Sequence, residues 1–263
     1  TVANDMTNPD AQHLSFEKDS YYYYSEGRLQ TIFKDFSPFG HFLKGYSMSP
    51  PTAKHSIGGL YSAVSQYVFQ GMEDPGKLMG LAPYGQANVF PYSAFRFEQG
   101  RVFVNYDWME NFVSPRVRYE DLADNFDYYA NTAYWIQRQI EQILVELVNH
   151  RYNLKSCKNL GFAGGLALNA VANAKLLTET PFENYYFQPA AADNGLAIGC
   201  AYYGWLDVLK KPRVTHSGSP YFGKSYSASS IEKALATYSD KIKFSAPDNT
   251  IERTVNFLAD GKV

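Results

Sequence analysis

The sequence is poor in cysteine and has no long hydrophobic run. Of its 263 residues only Cys157 and Cys200 are cysteines, too few for a disulfide framework and too far apart for a CxxC metal knuckle. No stretch of about 18 apolar residues is present, and no basic segment followed by an apolar core opens the chain. These absences predict a protein of a reducing, cytoplasmic compartment with no membrane span.

The sequence also has no large excess of positive or negative residues. Lysine and arginine number 24 against 26 aspartates and glutamates, so the formal charge is −2. Without runs of like charge, bulk electrostatic binding to nucleic acid or to an anionic membrane is disfavoured. Aromatic residues are abundant instead, at 16%, and such a composition is typical of surface covered by another domain. Because the chain begins at Thr1 without Met and ends just after a predicted helix, we expect a fragment of a longer protein.

Patterns along the first part of the chain predict two β-hairpins and two helices. Alternating runs flank Ser25-Glu26-Gly27 and again Glu98-Gln99-Gly100, which are typical hairpin turns. Apolar residues at helical spacing predict a helix over residues 57–69, and a shorter one is expected around residues 77–81. Residues 1–110 are therefore expected to form a β-rich part with loop motifs.

A βαβα arrangement is predicted for residues 111–210. A long core helix is expected over residues 119–150, with His150 at its end. A short strand ending in two glycines, a helix over residues 166–177, a strand over 185–187 and a helix over 195–209 follow. This order predicts a parallel sheet segment. Residues 211–263 are expected to be a linker with helices, the first capped by Ser229 or Ser230 and the last closed by Gly261.

One phosphate-binding pattern is complete in its letters. The segment GSPYFGKS, Gly218 to Ser225, matches G-x-x-x-x-G-K-[ST]. The P-loop mechanism requires a preceding apolar strand and a helix that begins at the lysine, and neither is predicted here. Lys224 is therefore not expected to bind nucleotide.

Two further sequence features have both a structural and a functional interpretation. Gly164 and Gly165 lie between a strand and a helix, where they either form an ordinary βα turn or admit an anion to the helix N-terminus. Asp193 and Asn194 lie at the next helix start, where Asp193 is either an N-cap or a ligand for a metal or a ribose. The histidines, at positions 13, 41, 55, 150 and 216, show no metal-binding spacing.

Four segments, in order, resemble the carbamoyltransferase family of nodulation-factor and antibiotic O-carbamoylating enzymes. They are KHSIGGLYSAVSQYVF, DPGKLMGLAPYG, NLGFAGGLALNAVANAKLL and FQPAAADNGLAIGCAYYG, and YFGKSYSASSIEKAL resembles a fifth block. The resemblance implies an α/β fold of the actin and sugar-kinase (ribonuclease H-like) ATPase superfamily, with β-hairpins and a parallel sheet segment. It also implies that the whole chain, residues 1–263, is part of a carbamoyl-transfer domain.

The activity implied by the resemblance is transfer of a carbamoyl group to a hydroxyl. Carbamoyl-adenylate, made from ATP and carbamoyl phosphate in another domain, would be the donor, and a sugar or antibiotic-like molecule the acceptor. Carried over from the family, Gly164, Gly165 and Asn169 would line the phosphates, with Asn194 beside them, and Lys77 would face the nucleotide. Asp193 would hold a divalent metal such as iron. No residue is implied as the catalytic base.

Departures from the family pattern limit what the chain alone is expected to do. Ala192 stands where relatives usually have glycine, and Asp74-Pro75-Gly76 replaces an acidic residue before the GKLMG stretch. The paired histidines of the metal site would precede Thr1 and the adenylate-forming domain would follow Val263, so the 263-residue chain alone is expected to be inactive. The alternatives are a phosphotransferase or ATPase of the same superfamily, or a non-catalytic interaction domain. A dehydrogenase is disfavoured because no G-x-G-x-x-G follows a strand.

Overall fold

The computed structural model of the chain describes residues 2–3, 15–38, 56–69, 74–105, 122–214, 219–221, 223–246 and 248–262. Its strands are β1 (Val2–Ala3), β2 (Ser15–Ser25), β3 (Arg28–Pro38), β4 (Phe95–Glu98), β5 (Arg101–Val104), β6 (Asn159–Phe162) and β7 (Asn184–Phe187). Its α-helices are α1 (Ile57–Phe69), α2 (Pro75–Leu81), α3 (Phe126–Leu154), α4 (Ala170–Glu179), α5 (Asn194–Tyr203), α6 (Ala228–Thr237) and α7 (Thr250–Ala259). The chain divides into two units, Thr1–Arg213 and Val214–Val263. Both helices and strands are present, as predicted for an α/β protein.

Both predicted hairpins are confirmed. Strand β2 pairs antiparallel with β1 and β3, and β4 pairs antiparallel with β5. Their turns place Glu26-Gly27 at φ 50° and 78° and Gln99-Gly100 at φ 50° and 79°. Two successive left-handed residues form the turn whose twist matches that of paired strands, and glycine adopts the second position without steric cost.

Helices α1, α2 and α3 form the centre of the first unit. Helix α1 has the predicted bounds and begins after Ser56, whose Oγ accepts a hydrogen bond from Gly59 N at 2.9 Å. Ile136 and Ile140 of α3 are completely buried in the same core. Helix α3 differs from the prediction at both ends, because residues 122–125 form turns and the helix continues to Leu154. The prediction that His150 ends the helix is therefore wrong, and its ring packs on Phe97 instead.

The predicted parallel segment is confirmed by β6 and β7, which pair in register from Asn159 with Asn184 to Phe162 with Phe187. The helix predicted over residues 166–177 is broken. A 3₁₀ turn spans Gly165–Leu168, Asn169 is extended at φ −78° and ψ 92°, and α4 begins at Ala170. The asparagine side chain accepts a hydrogen bond from Ala172 N, so it starts a new helix.

The Val214–Val263 unit contains α6 and α7. Helix α6 is capped by Ser227, whose Oγ accepts from Ser230 N at 3.2 Å, so the predicted caps Ser229 and Ser230 were wrong by two to three residues. Gly261 closes α7 as predicted, at φ 70° with the paired hydrogen bonds of a Schellman motif. No residue of either helix is buried.

Within the described ranges, no helix combines the length and the apolar character that a bilayer crossing requires.

Candidate functional site

Two loops meet at the carboxyl edge of the β6–β7 pair. Because the strands are parallel, the segments that follow Phe162 and Phe187 leave the sheet on the same side. Gly164 N donates a hydrogen bond to Ala191 O at 2.8 Å, which joins the two loops directly. The edge therefore brings together the glycine pair and Asp193-Asn194, four of the six site residues that the sequence singles out. Ligands of open α/β folds bind at such edges.

The glycine turn is open to solvent. Gly164 adopts φ 102° and ψ 164°, a conformation restricted to glycine, and a Cβ added to Gly164 or Gly165 would meet no atom within 4 Å. Both residues are exposed. The turn thus has the backbone shape and the free space that an approaching phosphate requires, with the start of a helical turn directly behind it.

Asp193 and Asn194 are exposed at the start of α5. Asp193 precedes the first helical residue, yet its side chain makes no capping hydrogen bond. Its carboxylate is thus not used as an N-cap, which removes the main structural interpretation of this residue. Gly195 next to it is constrained, because a Cβ there would lie 2.1 Å from Ala190 O.

Asn169 lies at the other end of the glycine turn but is buried, with 6% of its surface exposed. Besides capping α4, it forms a pair of amide hydrogen bonds with Gln137 of α3. Asn169 Nδ2 donates to Gln137 Oε1 at 2.9 Å, and Gln137 Nε2 donates to Asn169 Oδ1 at 3.1 Å. Its amide is therefore engaged within the protein.

Gln137 belongs to a buried polar cluster that the sequence analysis did not find. We define the amide cluster as Tyr61, Gln137, Glu141 and Asn169, from α1, α3 and the start of α4. Tyr61 Oη donates to Gln137 Oε1 at 2.9 Å, and Gln137 Nε2 donates to Glu141 Oε1 at 3.0 Å. A signal was available, since Gln137 and Glu141 follow Ile136 and Ile140 on the apolar stripe of α3.

The electrostatics of the amide cluster indicate which of its groups donate hydrogen bonds. Burial raises the pKa of Tyr61 above its ordinary value, and the nearby Glu141 carboxylate adds to the rise. The phenol is thus protonated and donates to Gln137. Glu141 is 4% exposed and also pairs with Arg138 Nη1. Every amide hydrogen bond of the cluster therefore has a defined direction.

Lys77 lies on α2, which packs against α1 and α3. Its ammonium pairs with Asp74 Oδ1 at 2.8 Å, and its side chain is 60% exposed. Because the ion pair joins two residues of one turn, it does not connect Lys77 with the β6–β7 edge.

A metal site is not complete within the described part of the chain. No three His, Cys, Asp or Glu side chains come together there in a group that could hold a metal ion. Asp193 contributes a single carboxylate at the edge, and four of the five histidines, at 13, 41, 55 and 216, lie outside the described residues. The described residues do not by themselves fit a metal.

Among the described residues around Lys224, the strand and the prompt helix of a P-loop are not found. Its ammonium lies 5.2 Å from the centre of the Tyr226 ring, and α6 begins at Ala228 rather than at the lysine. The described residues 209–214, which precede the motif, form no strand.

Comparison with known proteins identifies the family. The sequence model of the family described as Carbamoyltransferase N-terminus matches residues 16–202. The chain is 33% identical to the uncharacterized protein sll1178 of Synechocystis, over 69% of this chain and 33% of that protein. It is 27% identical to the nodulation protein NolNO of Sinorhizobium fredii, over 79% of this chain and 32% of the relative. It is 25% identical to the nodulation protein NolO of Bradyrhizobium diazoefficiens, over 80% of this chain and 39% of the relative.

The matched region includes the central helices, the β6–β7 edge and most of α5. The chain therefore belongs to the carbamoyltransferase N-terminal family. It spans about a third of the length of the curated relatives that it matches first.

Proposed function

We propose that the chain is part of an O-carbamoyltransferase that moves a carbamoyl group from carbamoyl-adenylate to a substrate hydroxyl. Family membership supports the transferase class, and the small hydroxyl acceptor, such as a sugar, is proposed from the family resemblance of the sequence. The observation that carries the proposal is the family match over residues 16–202, and the hydrogen bond from Gly164 N to Ala191 O supports it by joining the two candidate loops at one edge. The proposed fold is that of the actin and sugar-kinase superfamily, and the proposed compartment is the cytoplasm.

In this proposal the glycine turn receives the nucleotide phosphates. The glycine turn leaves room for phosphate oxygens, although the Gly164 amide itself donates to Ala191 O, and Asn194 lies at the neighbouring helix start, where the dipole favours an anion. Asn169 supports this turn from inside the protein, in place of the direct phosphate contact that the family resemblance implies. Lys77 is proposed as a cation for the nucleotide from the family resemblance, and its side chain, paired with Asp74, is 60% exposed.

The transfer step consists of one bond formed and one broken. The acceptor oxygen bonds to the carbamoyl carbon, the bond from that carbon to the phosphate oxygen of the adenylate breaks, and AMP leaves with the electron pair. The hydroxyl proton passes to a base that we do not assign. Backbone amides at the glycine turn would stabilise the charge that develops on the leaving phosphate.

Asp193 is proposed as one carboxylate ligand of a divalent cation, with the remaining ligands supplied by residues outside the described ranges. This assignment is supported because the Asp193 carboxylate is exposed and does not cap α5. Carbamoyl phosphate and an adenylate-forming domain are the further proposed partners.

Carbamoyl transfer by the full-length protein is the direct test. With ATP, labelled carbamoyl phosphate and a panel of sugar hydroxyl acceptors, we expect labelled product from the full-length protein and none from residues 1–263 alone. Hydrolysis of ATP without transfer would favour a phosphotransferase or ATPase instead. Product from the 263-residue chain alone would contradict the need for further domains.

The Asp193→Asn variant tests whether Asp193 binds a metal or only stabilises the fold. We expect unchanged melting of the metal-free protein, because the side chain caps nothing, together with loss of bound metal measured by elemental analysis. Lys224→Ala is the matched control and should leave both metal content and ATP affinity within a few-fold of the wild type. Unchanged metal content in Asp193→Asn would remove Asp193 from the site.

A further inference from the structure

We infer that Gln137 is a positioning residue, which holds the glycine turn in its ligand-receiving shape through Asn169. This inference rests on the proposed function for its consequence in nucleotide binding. Gln137 lies in the middle of α3 and touches no residue of the exposed edge in the hydrogen bonds described. Its effect on the edge would therefore be transmitted by the one residue of the turn that it does contact.

The route from Gln137 to the edge is short. Asn169 ends the segment that begins at Gly164, and its own amide N donates to Leu166 O at 3.0 Å. Ala167 N donates to Gly164 O at 2.9 Å, so the turn is closed from both sides. The paired amide bonds with Gln137 fix the side chain that starts α4 directly after this turn.

Because both amides are buried, each depends on the other for its hydrogen bonds. Gln137 and Asn169 are 3% and 6% exposed, so neither amide can exchange its partner for water. Removing one amide would leave the other unsatisfied in the core, which is costly. The partners on the far side, Tyr61 and Glu141, occupy the remaining hydrogen-bonding groups of Gln137 and hold its amide in one orientation.

Core packing alone does not require a polar side chain at position 137. Packing alone would be served by leucine or methionine, which fill a similar volume without polar groups. The chain instead places four polar side chains where α1, α3 and α4 meet. Gln137 bonds to Asn169, which ends the glycine turn, and Tyr61 and Glu141 bond to Gln137. Specific orientation of that residue is the property that an apolar core would not supply.

The test compares Gln137→Leu with two variants in the full-length protein. Asn169→Ser retains an N-cap for α4 but loses the amide pair, because serine and asparagine cap about equally well. Ile140→Val, one turn along α3, is the control for lost core stability without lost polar contact. The measurements are the Kd for ATP, amide hydrogen exchange of residues 164–169, and melting temperature.

We expect Gln137→Leu and Asn169→Ser each to weaken ATP binding tenfold or more and to speed exchange of residues 164–169. Ile140→Val should change neither. Wild-type affinity and exchange in Gln137→Leu would overturn the inference, and so would loss of affinity in Asn169→Ser alone, since Asn169 would then act without Gln137.

Hydrogen exchange keeps this inference distinct from the proposed function. If the wild type binds no ATP, the proposed function fails, and exchange of residues 164–169 alone decides whether Gln137 positions the turn. Faster exchange confined to that segment supports the inference, and unchanged exchange overturns it. If Gln137→Leu does not fold, Asn169→Ser and Tyr61→Phe carry the same test, with the smaller effect expected for Tyr61→Phe.

Discussion

Helix α7 has clear capping signals at both ends and α3 has none, but only α3 buries its apolar side chains. Ile136 and Ile140 of α3 are completely buried, whereas Ile251 of α7 is 78% exposed and Leu258 is 66% exposed. Yet α7 has an asparagine cap and a complete Schellman motif. Caps determine where a helix begins and ends, whereas burial determines how stable it is, because helices of this length are marginal in water by themselves.

Matched isoleucine substitutions should give the largest difference between the two helices. Ile140→Ala removes completely buried methyl groups and should destabilise the first unit by about 3 kcal/mol. Ile251→Ala should change stability by less than about 0.5 kcal/mol, as exposed substitutions do. Urea unfolding followed by hydrogen exchange in α3 and α7 measures both. An equal cost at the two positions would show that α7 buries its apolar side chains in solution.

Glycine-to-alanine substitutions in the two units compare the stability cost of their backbone conformations. Gly164 has φ 102° and ψ 164°, a region essentially closed to other residues, so Gly164→Ala should cost about 2 kcal/mol. Gly261 has φ 70° in the left-handed helical region, where alanine costs about 1 kcal/mol. Neither alanine would meet a neighbouring atom, so backbone conformation alone sets the difference. Chemical denaturation of each variant provides the two values, and the reverse order would contradict the assigned conformations.

The caps of the Val214–Val263 unit should have a smaller effect. Ser227→Ala should lower the stability of α6 by about 1 kcal/mol, since Ser227 Oγ satisfies a backbone amide at the helix start. Ser229→Ala serves as the control and should leave the helix intact, because alanine is a better helix former than serine. Circular dichroism at 222 nm and Cα chemical shifts report the outcome. Loss of helix in Ser229→Ala but not in Ser227→Ala would restore the cap expected from the sequence.

The smallest effect is expected from pH, at the C-terminal part of α3. Burial lowers the pKa of His150, the Arg151 guanidinium lowers it further, and Asp19 opposes the shift. Arg151 Nη1 lies 3.0 Å from His150 Nδ1, a contact that the neutral ring accepts and the protonated ring cannot. The unfolded chain therefore binds the proton more readily, so stability should fall as pH drops below the ordinary histidine pKa of about 6.5.

Melting temperatures at pH 5.5 and 7.5 measure this dependence. His150→Gln keeps an acceptor but does not titrate, so its melting temperature should depend less on pH than that of the wild type. An identical dependence in the variant would assign the effect to other groups.

The parts of the fold that the sequence predicts are those determined by neighbouring residues. Both hairpins follow from a left-handed glycine after Glu26 or Gln99, and α1 follows from its apolar spacing after Ser56. The broken segment around Asn169 was missed because the continuous run of small helix formers there does not indicate that one asparagine will cap a new helix. Its side chain is also paired with Gln137, which is 32 residues away in the chain, so this contact cannot be read from neighbouring residues.

The candidate site was predicted in part for the same reason. The glycines and Asp193 lie on the segments that follow β6 and β7, and parallel pairing makes these segments leave the sheet at the same edge whatever side chains they carry. The amide cluster could not be assembled from spacing, since Tyr61, Gln137 and Asn169 come from three separate helical segments. Lys224 shows why a complete pattern is not enough, since the described residues before the motif form no strand and α6 begins only at Ala228.

The hydrogen bond from Gly164 N to Ala191 O also makes the two loops thermodynamically dependent on each other. A ligand that moves one loop without the other must stretch or break this 2.8 Å bond. If two ligands bind at the edge and are coupled through this contact, each changes the affinity of the other by the same factor, since coupling between binding sites is reciprocal.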